Sequence, residues 1–134
     1  MIDQRNAYGM RKRVSLAYDD AVQRAKDALA AEGFGILCDI DVAATMKRKL
    51  DVDFRPYVIL GACNPPLAHR ALTVEPDIGL LLPCNVIVYA DDEPGQSVVA
   101  VIDPVSVLGL TGNPDLKPLA EDVRTRLTRA LDAV

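Results

Sequence analysis

Two apolar segments of this chain stop on the same punctuation. Tyr57 to Cys63 runs into Asn64-Pro65-Pro66, and Ser97 to Ile102 runs into Asp103-Pro104. Asn and Asp are preferred helix N-caps, because the side-chain oxygen accepts from an otherwise unpaired N–H of the first turn. Proline is favoured at the first helical position, where its missing N–H is no loss. Each segment is rich in β-formers, so each reads as a strand that hands over directly to a short helix.

The rest of the chain fits around these two junctions. Tyr8 to Leu16 reads as a first strand. Asp19 and Asp20 sit where acids favour a helix start, and Val22, Ala25 and Leu29 repeat at helical spacing up to Gly33, a C′ glycine. Gly35 to Ile40 is a short strand. Asp41 caps a helix through Leu50 that ends on Lys47-Arg48-Lys49, cations matched to a helix C-terminus. A short helix over about 65–73 follows the first junction, and Glu75-Pro76-Asp77 breaks it and begins a further turn. Cys84 to Tyr89 and Ser97 to Ile102 form a hairpin about Asp91-Asp92-Glu93-Pro94-Gly95. Thr111 to Pro114 is a loop, and Leu119, Val123, Leu127, Ala130 and Leu131 make one face of a closing helix over about 116–133.

The expected fold class is α+β. Its strand-helix-four-strands-helix order, with short inserted helices, makes an antiparallel sheet with the long helices on one face, a two-layer sandwich. At 134 residues the chain fits a single domain, residues 1–134. Half the residues are apolar, yet only four Tyr and two Phe are aromatic and Trp is absent, so the core must be aliphatic.

Several function classes are set aside by composition. The formal net charge is −4, and the basic residues are scattered rather than gathered on a nucleic-acid face, with short clusters at Arg11-Lys12-Arg13 and at Lys47-Arg48-Lys49, the second a solvated, dipole-matched helix end. No apolar run approaches the roughly 20 residues that cross a bilayer. The first residues are polar and lack a signal-peptide stretch. Three cysteines with no paired spacing suit a reducing, cytoplasmic compartment. Nucleotide loops, a nucleophile elbow and the zinc-protease motif are absent.

The strand order gathers the chemistry. If the strands ending at Cys63, starting at Cys84 and ending at Ile102 are antiparallel neighbours, one sheet edge carries Cys63, Asn64, Cys84, Asn85 and Asp103. His69, the only histidine, lies about one and a half turns along the short helix. Cys38 is expected toward the opposite edge. Cys63 precedes a helix N-terminus, which favours a thiolate; it also suits a small buried hydrophobe. Cys63, His69 and Cys84 are candidate soft-metal ligands, zinc for example, with Asp103 or water as a fourth, although the spacing matches no common zinc pattern. Asn64, Asn85 and Asp103 have structural roles open to them as caps and turn residues, and their polar groups could also orient a ligand.

The residues Gly33-Phe34-Gly35, Asp39-Ile40-Asp41-Val42 and Phe54-Arg55-Pro56-Tyr57 lead into Leu60-Gly61-Ala62-Cys63-Asn64-Pro65-Pro66-Leu67-Ala68-His69-Arg70-Ala71-Leu72, then Ile78 to Asn85 and Asp103-Pro104. This pattern resembles the domain of unknown function 302 family over about residues 8–110. The resemblance implies a two-layer sandwich of the TATA-binding-protein-like type, and a homodimer. It implies no nucleic-acid binding, since a shared fold does not transfer function. Its motif positions here are Cys63, Asn64, His69, Cys84 and Asn85. Three readings remain open. One is a domain binding a small polar ligand or soft metal near Cys63, His69 and Cys84. Another is a thiol-dependent redox or sulfur-handling enzyme, with Cys63 as nucleophile, His69 as base and Cys84 as resolving thiol. The last is a non-catalytic dimeric interaction module.

Overall fold

The computed structural model describes residues 2–134. Six strands form one sheet: β1 (Gln4–Arg5), β2 (Gly9–Val14), β3 (Gly35–Asp41), β4 (Tyr57–Cys63), β5 (Cys84–Ala90) and β6 (Ser97–Ile102). Their spatial order is β1-β2-β6-β5-β4-β3, and every pairing is antiparallel. The first strand is shorter than its sequence suggested and gains a two-residue partner in β1. The α+β two-layer arrangement is as expected.

Strand alternation decides which side chains face the helices. On that side lie Val58, Leu60, Ala62, Val86, Val88, Val99 and Val101, all buried. Against them pack α1 (Tyr18–Ala31) and α5 (Lys117–Ala133), which also contact each other. Leu29, Leu127 and Leu131 close this aliphatic core. Helix α2 (Val42–Leu50) is different. It forms, with Asp41 accepting from the Ala44 N–H at 2.9 Å, but buries none of its residues. Following the edge strand β3, it lies outside the core. No described helix is long and apolar enough to cross a membrane.

Both cap junctions are built as the sequence suggested. The Asn64 side chain accepts from Leu67 N–H at the start of α3 (Pro65–Val74). Asp103 accepts from Val105 N–H at the start of α4 (Pro104–Leu108). At the end of α1, Gly33 has φ +86° and its N–H bonds the Ala30 carbonyl, while Phe34 N–H reaches Leu29. The 3₁₀ turn Pro76–Leu81 supplies the further turn expected after α3, and two more such turns, Gly109–Thr111 and Pro114–Leu116, flank the residues expected to form a loop.

The basic triplet of β2 is divided by the pleat. Arg11 and Arg13 face away from the helices, and Lys12 faces inward. Lys12 is only 9% exposed, and its ammonium donates to the main-chain oxygens of Val134 at 2.7 Å, Asp132 at 3.0 Å and Leu131 at 3.4 Å. A cation at a helix C-terminus satisfies unpaired carbonyls and the negative end of the dipole together. The middle cation of the triplet is therefore part of the packed structure.

Candidate thiol-lined apolar cavity

Register brings the two cysteine-bearing strand ends together. Ala62 of β4 lies directly opposite Cys84 of β5, and Cys63 is the next residue, the last of β4 before the turn into α3. Both thiols are half-buried and both line one cavity of about 290 Å³. Its floor is the end of the sheet at Ala62 and Cys84. Leu67, Ala68 and Ala71 of α3 form one wall, and Leu119 and Val123 of α5 another. Apart from the two sulfurs, Asn64 supplies the only side-chain polar group in the lining. Leu37 and Leu72 stand at the lining while 67% and 42% exposed, which leaves an apolar rim open to water.

Local sequence explains this hollow. Small residues, Ala62, Ala68, Ala71 and Gly79, occupy positions where large side chains would fill it. Gly61 next door answers a different need. A Cβ there would stand 2.5 Å from Cys38 Sγ and 2.9 Å from the Pro83 ring. Cys38 is thus in the middle of β3, opposite Gly61, and not toward the far edge.

The remaining candidates go elsewhere. His69 is exposed on α3 and is not part of the lining, because the apolar stripe Leu67–Ala71 takes the inward face. Asn85 faces the other side of the sheet, one residue out of phase with Cys84. Asp103 lies 6% exposed, committed to its cap and to Arg124, whose Nη2 is 3.5 Å away. The expected meeting of Cys63, His69 and Cys84 therefore does not form. Among the described residues no three His, Cys, Asp or Glu side chains cluster as a metal site requires.

Burial pushes the Cys84 thiol up to about 11, with the neighbouring Cys63 adding to the shift. A thiol so placed stays protonated at neutral pH and is a poor nucleophile. Its alkylation by iodoacetamide should be slow at pH 7 and quicken about tenfold per pH unit up to about pH 10, in step with its thiolate fraction. Mass-resolved labelling of the folded protein checks this. A Cys84 rate that levels off below pH 9 contradicts it.

Comparison with known proteins places the chain. The family profile for "Domain of unknown function DUF302" matches residues 10–134. The chain belongs to this family. The match extends through α5, past the region in which the motif residues lie. A crystal structure of an uncharacterized conserved DUF302 protein from Bacillus stearothermophilus is similar, with a TM-score of 0.85 and 33% sequence identity. The alignment covers 93% of this chain and 96% of that one. No curated protein matches the sequence.

Sequence reading found the two thiols and Asn64 of this DUF302 domain but missed most of the lining. Leu119 and Val123 were legible only as one face of a closing helix. The volume they bound comes from small residues on α3, which read simply as helix formers.

Proposed function

We propose that this DUF302 domain binds a compact, largely apolar small molecule in the cavity at the Cys63–Cys84 end of the sheet. The lining carries the reading. A concave apolar site with a few polar groups is the usual form of a small-molecule pocket, and this one opens through an exposed leucine rim. The polar ligand expected from sequence fits less well, because Asn85, His69 and Asp103 are directed elsewhere. Asn64 and the thiols remain to orient a ligand. The thiol-enzyme reading has less support, since Cys84 holds its proton and His69 is on the outer face of α3.

The test uses N-phenyl-1-naphthylamine, a neutral dye that brightens in apolar surroundings. Its fluorescence should rise with the wild-type protein and saturate. Ala68→Phe, which projects a ring into the lining from a half-buried position, should abolish the rise while leaving circular dichroism unchanged. Equal brightening with the folded Ala68→Phe variant, or none with wild type, overturns the reading.

A further inference from the structure

The sheet face turned away from α1 and α5 carries a row of directly opposed residues that crosses five strands. Arg11 of β2 is opposite Ala100 of β6, and Ala100 is opposite Ile87 of β5. Ile87 is opposite Ile59 of β4, and Ile59 opposite Ile40 of β3. Directly opposed residues share a face, so the row reads guanidinium, methyl, and three branched aliphatic side chains. Strands lie about 4.8 Å apart, which sets Ile87 about 10 Å and Ile40 about 19 Å from the charged end. The β2–β6–β5 part of the row lies in a groove of about 330 Å³, lined also by Tyr8, Asn85 and Tyr89. Ile40 is 45% exposed, so the aliphatic row does not end under cover.

Arg11 is the unsatisfied member. The other two arginines bordering this face have carboxylates: Arg13 pairs with Asp91 at 2.9 Å and Arg55 with Asp92 at 2.8 Å. Among the described residues Arg11 has no acidic partner. Its Nη1 reaches only the Tyr89 hydroxyl, at 3.4 Å, and its Nε is buried without any hydrogen-bond partner. A guanidinium is charged at any physiological pH and presents a planar fork suited to a carboxylate. A buried donor left unpaired is costly, and that cost is removed when an acceptor arrives.

We propose that this groove is a second binding site, for a monocarboxylate with an aliphatic tail. The carboxylate sits on Arg11, beside Tyr89 and Asn85, and the tail lies across the strands on Ala100 and Ile87 toward Ile59. About 10 Å of floor suits a medium chain of roughly eight carbons, and the continuing isoleucines accept a longer one. Charge complementarity favours this occupant over a second copy of the chain. A second copy would present the same face, whose bordering carboxylates Asp91 and Asp92 are already paired.

The experiment is a backbone NMR titration of the full chain with octanoate, and with octanol and inorganic phosphate as partial probes. Octanoate should shift Arg11, Ile87, Tyr89 and Ala100. In the groove, octanol and phosphate should each bind at least about tenfold more weakly, since each lacks one of the two contacts. Arg11→Gln should weaken octanoate about tenfold or more. Ala100→Phe, which fills the floor, decides the matter if Arg11→Gln proves unfolded. Ala68→Phe, which blocks the thiol cavity, should leave the octanoate shifts at Arg11, Ile87, Tyr89 and Ala100 unchanged, so that the two sites stand or fall separately. The proposal is overturned if octanoate shifts only residues of the thiol cavity, if octanol shifts the groove residues as strongly as octanoate, or if folded Arg11→Gln or Ala100→Phe binds octanoate in the groove undiminished. It is also overturned if the wild type is dimeric through this face and octanoate neither binds nor dissociates it.

Discussion

Lys12→Met should lower stability by about 2–3 kcal/mol, the worth of charged hydrogen bonds at a partly buried helix end. The substitution keeps the length and apolar stem of the side chain. It removes only the ammonium that reaches the oxygens of Leu131, Asp132 and Val134. Urea unfolding is the measurement, and the midpoint should fall with little change of slope. Lys12→Arg is the control: a cation of similar reach should recover part of the loss. A Lys12→Met protein within about 0.5 kcal/mol of wild type, the range of an ordinary surface change, would show that those carbonyls are equally well served by water.

Gly33→Ala should cost a similar amount for two reasons that can be separated. The left-handed backbone at φ +86° penalises any Cβ by about 1–2 kcal/mol. The added carbon would also stand 2.9 Å from Asn64 Nδ2 and push aside the side chain that caps α3, worth about 1 kcal/mol. The second cost exists only while Asn64 is present. In an Asn64→Ala background, Gly33→Ala should therefore cost about 1 kcal/mol less than it does alone, a coupling that a double-mutant cycle reads directly. Strict additivity would mean that the Asn64 amide simply swings clear. Because Asn64 also lines the cavity, Gly33→Ala should weaken dye binding as well.

That contact shows how far the sequence could be read. Gly33 was recognisable as a C′ glycine and Asn64 as an N-cap, each from its own few neighbours. That the end of α1 rests on the start of α3 is a long-range contact with no local sign. Strand pairing was legible for a related reason. Antiparallel neighbours connected by short segments leave few alternatives, so the meeting of Cys63 with Cys84 followed from order alone. The errors came from facing rather than placing. His69 and Asn85 are at the expected end of the sheet, but helix rotation turns one outward and the strand pleat turns the other to the opposite side. Arg11-Lys12-Arg13 was legible only as a short basic cluster. A charged triplet in a strand cannot point in one direction, and the period of two sends its middle member into the core.

The strand order also has a consequence in time. β4, β5 and β6 each lie beside their predecessor, so each can pair as soon as it leaves the ribosome. β2 cannot, because apart from two-residue β1 its partner is β6. That partner is made about 80 residues later, a wait of roughly 4–16 seconds at ordinary synthesis rates of about 5–20 residues per second. For that interval Gly9–Val14 is an orphan strand, the kind that pairs with the wrong chain. Three consecutive cations are an effective guard against this, since like-charged segments repel and lysine is the usual blunting residue of exposed edges. The same triplet that later supplies a helix cap and an unpaired guanidinium thus first serves to keep nascent chains apart.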